Sequence, residues 1–598
     1  MTKPVGRWIK AGPLEELRSQ GMTVVKGGDR PILVVCEGET VFALDNRCPH
    51  MGFPLHRGSF EDGVLTCHWH HARFDVSSGC TFDLWADDIP TARVKIEDDA
   101  VWIESDCGFA DPAEHWRRRL QDGMAHAIGL VIAKSILGAR AAGVAPADLI
   151  RDAALFGAAN RDRWGSGATT LTALANLLPL LDEEQEFLAL YQGVRRLAAD
   201  CAGKVPRRDV TALADASVPR ETLRRWLRHW TQVRHRTGAE RTLKTAIADN
   251  APPAALAEML LTAGCDRAYA DGGHSLDFVN KAFECLDLIG WENAGTVLPT
   301  ITDALTDARG AEESISWRSP VDLVGRLEDV FSVLPALMAR GRESAGKPVD
   351  HAALAQELLA DDPEAIIDSL CGAIRDGACP TDLSRALVYA SVLRVAHFAT
   401  TNESSDWDTA HHSLTYCNAV HQLLRRIEND STGATQVSAD ALRAVFHGAM
   451  TIYLTRYLNV PPARLPDAAA LDDLPADPDT LCRDLLDAFD RQQQVDRAAY
   501  LTTRYLTLGH SASRLINTLI TALLREDAGF HTYQMLEACV QHHREWDDTA
   551  EGRTVLVALA RFLAAHSPTR RAQHQTAAIA MRLNRGGDLY EDQTNETE

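Results

Sequence analysis

The 598-residue chain has no uninterrupted apolar run of about 18 residues, the length a helix needs to cross a bilayer. Its first residues, MTKPVGRWIKAG, lack the apolar stretch of an export signal. Basic residues are in deficit: 61 Lys and Arg against 83 Asp and Glu leave a formal charge of −22. That balance argues against nucleic acid, whose phosphates select basic faces. No Gly-x-Gly-x-x-Gly occurs, and the one Gly-x-x-x-x-Gly-Lys match, Gly341 to Lys347, runs into Pro348 where a phosphate loop needs Ser or Thr. Flavin, nicotinamide and ATP sites of the usual kind are therefore not expected. Nor is there a Glu-x-x-His pair of the kind that di-iron bundles use. The 13 cysteines are odd in number and, one pair apart, scattered singly, which fits reduced thiols better than a disulfide framework. A cytoplasmic protein without membrane or nucleic-acid partners is expected, its length calling for two to four domains.

What is present centres on residues 47–75, RCPHMGFPLHRGSFEDGVLTCHWHHARFD. Cys48-Pro49-His50 is followed, after sixteen residues, by Cys67-His68-Trp69-His70. Each pair delivers one thiolate and one imidazole, the donor set of a 2Fe–2S cluster with two cysteines on one iron and two histidines on the other. A tetrahedral zinc would accept the same donors, but Cys-x-His is shorter than the usual spacing of zinc pairs. Neutral imidazoles remove two negative charges, lifting the potential from about −400 mV to between about −150 and +300 mV. Pro49 and Gly52 shape the first loop, and Phe74-Asp75 leads into a Ser77-Ser78-Gly79 turn after the second.

These residues resemble the Rieske family over roughly the first 105 residues. The resemblance implies a 2Fe–2S cluster bound by Cys48, His50, Cys67 and His70. In family members from respiratory cytochrome complexes, one further cysteine per loop forms a bracing disulfide; Phe53 and Trp69 stand there in this chain. That likens it to the ferredoxin and oxygenase-type members. After the last ligand the family usually has glycine, where this sequence has His71, which is not read as a ligand.

Short β-branched runs at Met22–Val25, Pro31–Cys36, Thr40–Leu44, Ala92–Ile96 and Ala100–Glu104 predict a small antiparallel all-β sandwich over residues 1–105. Residues 106–114 read as a linker. From 115 to 585 the sequence is rich in Ala, Leu and Arg with a 3.6-residue apolar period, predicting a large all-α domain. Asp182, Asp350 and Thr381-Asp382 read as helix starts. Residues 463–478, with three prolines, read as an irregular connection that a lid would suit, and the acidic end, 586–598, as disordered. Arg220–Trp230 is basic with interleaved aromatics and reads as a solvated helix face with two core tryptophans.

Within the helical part, His274-Ser-Leu-Asp-Phe-Val-Asn280 is echoed by His412-Ser-Leu-Thr-Tyr-Cys-Asn418, and more weakly by Gly509-His510-Ser511. The echo suggests duplicated halves that place equivalent side chains around one pocket. Bundles build metal sites from inward His and carboxylates. The candidates for a second site are His274 with Asp271, His411 or His412 with Asp408, His447, and His531 with Asp527. Asp408/His412 and Asp527/His531 are four residues apart, on one face of a helix. Ala125–Leu130 with Ala142–Pro146, Asp406–His412 and Phe446-His447-Gly448 also resemble segments of questin-oxidase-like proteins, all-helical enzymes, which implies oxidative chemistry.

Two functions suit this sequence. In the first, the chain is an oxidoreductase: an external ferredoxin or flavoprotein reductase feeds the cluster, which passes electrons to a His/Asp site that would hold a non-haem iron or another metal and oxidises a small organic substrate. The alternative is an electron carrier or redox sensor whose helical domain is a scaffold for docking a partner. The helix-grip catalytic domain and D-x2-H-x3–4-H iron motif of known Rieske oxygenases are missing from the sequence.

Overall fold

The computed structural model describes residues 7–590 except 29, 215–216, 345, 431–432, 434 and 588. It divides into two compact units, one built from the chain up to Leu149 plus the segment from Ala572 onward, the other spanning Ile150–Arg571. No helix among the described residues is long and apolar enough to cross a membrane.

Among the described residues, the first unit contains three antiparallel three-stranded sheets. β1 (Trp8–Pro13), β9 (Ala100–Glu104) and β8 (Val94–Glu97) form one; β2 (Met22–Lys26), β3 (Pro31–Glu37) and β4 (Thr40–Asp45) the second; β5 (Ser59–Glu61), β6 (Val64–Thr66) and β7 (Arg73–Asp75) the third. Strand β3 shows why the layers stack. Its alternate residues Ile32 and Val34 pack with Val101 and Ile103, while Leu33 and Val35 face Leu44, Leu55, Leu65 and Phe74. Both faces of β3 are thus buried, and the second core lies beneath the Cys48 and Cys67 loops.

A short helix, α1 (Leu14–Gln20), bridges β1 and β2. Two longer ones, α2 (Pro112–Ala125) and α3 (Gly129–Ala141), pack on each other, and the C-terminal helix Ala572–Asn584 packs on α3. The expected linker is thus cut short: Asp111 caps α2 through the Glu114 N–H, with Pro112 in the first turn. The helical domain expected over 115–585, with its suggested duplicated halves, is drawn differently here, since its first two helices and its last belong with the β-sheets. Of the tail, residues 591–598 lie outside the described residues. Tyr590, expected to be disordered, is instead packed against the second core.

The second unit is helical. Asp182 and Asp350 cap helices as expected, whereas the start expected at Thr381 is capped by Cys379 two residues earlier. Residues 463–478 are largely irregular, with one short helical turn at Ala468–Leu471. The basic stretch forms a helix over Arg220–Gln232, but its buried residues are Leu223, Leu227 and Thr231, and Trp226 is 37% exposed. The helix period puts the leucines inward, while Arg224 and Arg228 pair with Glu258 and Asp266. Four helices frame the candidate site, α4 (His274–Ile289), α5 (Ser404–Glu428), α7 (Phe530–Trp546) and α8 (Ala550–Ala565), and a further helix, α6 (Ala439–Thr455), packs behind α5. Helix α5 packs on α4, α6 and α7, and α7 on α8. Buried Lys281 of α4 pairs with Glu284 at 2.7 Å and with Glu537 of α7, fixing the register of those two helices.

The approach of α2 and α3 depends on Gly138. A Cβ there would lie 2.3 Å from the Trp116 ring. Gly138→Ala is expected to destabilise the first unit by about 1–3 kcal/mol, read as a lowered midpoint in chemical denaturation.

Candidate metal centres

The first centre is built by two loops with the same hydrogen-bond plan. In one, the Cys48 N–H donates to Phe53 O at 2.8 Å and the Gly52 N–H to Cys48 O at 2.9 Å. In the other, the Cys67 N–H donates to Ala72 O at 2.8 Å and the His71 N–H to Cys67 O at 2.9 Å. Each loop closes through a left-handed residue four places after its cysteine, Gly52 at φ 90° and His71 at φ 63°. Glycine takes that conformation freely, whereas a side chain there costs about 1–2 kcal/mol. The His71 ring is exposed and points into no core.

The loops bring the four expected donors together. Cys48 and Cys67 are 2% and 1% exposed and form no disulfide. A hydrogen bond between the two thiols, helped by burial, holds Cys48 far above the usual thiol range, while the same bond lowers Cys67 to about 6. The His50 and His70 rings lie edge to face with centroids 4.8 Å apart. Burial pushes His50 down to about 4, with the His70 and Lys134 charges acting the same way and Asp87 opposing them. Its Nδ1 is buried without a protein partner, a vacant lone pair that suits a metal. Two adjacent sulfurs and two adjacent imidazoles match the donor set of a mixed-ligand 2Fe–2S cluster.

Residues outside the loops hold them. Trp85 meets the His50 ring edge-on at 4.7 Å. Tyr590 packs against Phe53 of the first loop at 5.0 Å and Trp69 of the second at 5.3 Å, and the Leu589 N–H donates to Met51 O. The Arg47 guanidinium donates to the carbonyls of Leu583 and Gly587.

The second centre lies in the helical unit. His274, His412 and His531 each present a ring nitrogen, and these atoms lie within 4.8 Å of one another. A run of left-handed residues, Tyr269, Asp271, Gly272 and Gly273, turns the chain so that His274 is the first residue of α4. His412 and His531 face each other from α5 and α7, Nε2 to Nε2 at 3.0 Å. Carboxylates orient two of the rings. Asp277 Oδ2 lies 3.3 Å from His274 Nδ1, and Gln534 donates to the other Asp277 oxygen at 2.5 Å. Asp408 Oδ1 lies 3.4 Å from His531 Nδ1 and 3.3 Å from His566 Nε2.

Burial opposes charge on His274, but Asp277 raises its pKa. His412 is pushed down to about 4, first by burial and then by its two histidine neighbours. Burial also works against the Asp408 carboxylate, yet hydrogen bonds from His531 and His566 hold it far below the usual range. His411 is fully buried beside His531, both its ring nitrogens lacking a protein partner. Neutral imidazoles backed by carboxylates are the form in which histidine binds a metal.

The remaining expected members stand elsewhere. Asp271 pairs with Arg163 at 3.4 Å. His447 on α6 is buried beside Phe331, and burial lowers it to about 3. Asp408, from a different helix, brings a carboxylate to within 3.4 Å of His531 Nδ1, and the Asp527 N–H donates to Thr569. His510 of the third echo bonds the Ala476 carbonyl. Asp277 was within reach of the sequence, three residues after His274 and so on one helix face. His566 and Gln534 carry no local signal.

A family model for the Rieske [2Fe-2S] domain matches residues 7–88. The biphenyl 2,3-dioxygenase ferredoxin component of Rhodococcus jostii is 37% identical over 82 residues, which are 14% of this chain and 77% of that protein. Human apoptosis-inducing factor 3 is 32% identical over 93 residues, and the chain spans only 15% of its length. The ferredoxin of carbazole 1,9a-dioxygenase from Nocardioides aromaticivorans aligns in structure over 98% of its length and 17% of this chain, at 22% identity and a TM-score of 0.16.

The loop geometry sets opposite expectations for two substitutions. Gly52→Ala forces a Cβ into φ 90° and lowers stability by about 1–2 kcal/mol. His71→Gly relieves the matching position and leaves the thermal midpoint unchanged or higher. A large loss from His71→Gly contradicts the symmetry of the loops.

Proposed function

The chain belongs to the Rieske [2Fe-2S] family through residues 7–88, and from that membership we propose an oxidoreductase in which Cys48, His50, Cys67 and His70 hold the cluster and His274, His412 and His531 form a second, metal-binding centre. When bound, the cluster carries one electron at a time. The observation that carries the reading of the helical unit is the convergence of three imidazoles, two of them backed by buried or half-buried carboxylates.

In this reading each residue has a defined task. Cys48 and Cys67 supply thiolates, and His50 and His70 supply neutral imidazoles. The loop hydrogen bonds keep those donors in register. Asp277 accepts the His274 Nδ1 proton and Asp408 that of His531, so the Nε2 lone pairs of both rings turn toward the centre. Three nitrogen donors leave positions open, and imidazole sets suit iron, copper or zinc. Phe278 stacks on His274 and Phe530 lies tilted against it, giving the centre an apolar margin suited to a small organic substrate. Electrons come from an external ferredoxin or flavoprotein reductase, since the sequence offers no nucleotide-binding motif of its own. Iron at the second centre would make the oxidation of that substrate the chain's activity.

The test is metal and acid-labile sulfide analysis of anaerobically purified full-length protein. Two sulfides per chain with metal beyond the two cluster irons is the expected result. His412→Ala with His531→Ala is expected to remove the additional metal and leave the sulfide. Two irons and no further metal of any kind in the wild type defeats the second centre and leaves the helical unit as a docking scaffold; absence of sulfide defeats the cluster.

A further inference from the structure

Helices α2 and α3 lie beyond the residues matched by the family, yet α3 reaches a cluster loop and α2 the Trp85 segment packed against it. Lys134 of α3 donates from Nζ to the carbonyl of Pro49, the residue between the donors Cys48 and His50. The same ammonium pairs with Asp87. The two side chains are 12% and 2% exposed, so water screens neither well. Arg119 of α2 donates to Leu84 O at 3.2 Å and Ala86 O at 2.8 Å, the carbonyls flanking Trp85, whose ring abuts His50. The Arg119 guanidinium also lies 3.6 Å from Asp87. Hydrogen bonds from α3 thus hold the His50 loop itself and those from α2 the Trp85 segment that abuts it, and they bring buried charge with them.

We propose that Lys134 is a positioning residue for the Cys48–His50 loop and that its charge, set against Asp87, fixes the reduction potential of the cluster. The inference rests on the reading that Cys48, His50, Cys67 and His70 hold that cluster. Reduction adds one negative charge between the loops. A buried cation nearby stabilises the reduced form more than the oxidised one, and a buried anion does the reverse. Each partner of the Lys134–Asp87 pair therefore offsets the other. Removing one leaves the other uncompensated, and the potential moves in a direction that depends on which is lost.

Redox titration of the full-length protein, followed by EPR of the reduced cluster, tests this. Lys134→Met is expected to lower the midpoint potential, Asp87→Asn to raise it, and Lys134→Arg to stay near the wild type. A merely structural role predicts lost cluster content without shifts of opposite sign. Potentials that move in the same direction in Lys134→Met and Asp87→Asn, or do not move, overturn the inference. If Lys134→Met retains no cluster, Asp87→Asn decides alone, and a potential at or below the wild type overturns it. A wild type without any cluster signal removes the ligand reading and this inference with it.

Discussion

The first unit depends on the closure of two short loops, each tied by a cysteine that donates five residues ahead and accepts from four residues ahead. That plan requires a left-handed residue at the fourth position, and the chain supplies Gly52 in one loop and His71 in the other. Once both loops are closed, the sulfurs of Cys48 and Cys67 come within hydrogen-bonding reach and the rings of His50 and His70 meet edge to face. The β-sheets below provide the platform: Leu33, Val35, Leu65 and Phe74 form the floor on which the loops rest.

Two short loops are a weak frame for a charged group, and the unit reinforces them from outside. Lys134 and Arg119 grip the first loop and its Trp85 neighbour through backbone carbonyls. Tyr590, near the far end of the chain, contacts Phe53 and Trp69, one residue from each loop. Family members with a bracing disulfide carry cysteines at those two positions. An aromatic contact between the same loops resists their separation without a redox-sensitive bond. Each edge-to-face pair of this kind contributes about 0.5–1.5 kcal/mol beyond its buried area.

Strands β2–β4, β8 and β9 were legible because alternation in runs such as Pro31–Cys36 is a local signal, and the structure extends that run by only one residue, whereas β1 and the three-residue strands β5–β7 are too short or too polar to show one. The four donors were legible because their chemistry sits in two short motifs. His274, His412 and His531 stood out as candidates, but their grouping depends on how α4, α5 and α7 pack, and no local pattern encodes that. The expected pairing of His531 with Asp527 followed helix spacing; the carboxylate that tertiary packing brings to that ring from another helix, Asp408, has no such local signal. Likewise, nothing in the polar tail GGDLYEDQ announced that Tyr590 has an aromatic site to fill. The helices at 112–125, 129–141 and 572–584 look like the rest of the helical sequence, so their membership of the β unit emerged only from the three-dimensional contacts.

The most direct measurement of the central claim is pulsed EPR on the reduced full-length protein grown with 15N-histidine. The account predicts strong coupling of the cluster to two histidine nitrogens, one of which disappears in a His70→Cys variant that still holds iron and sulfide. A reduced cluster showing no histidine nitrogen coupling would contradict it, because Cys48 and Cys67 would then be holding a cluster without His50 and His70.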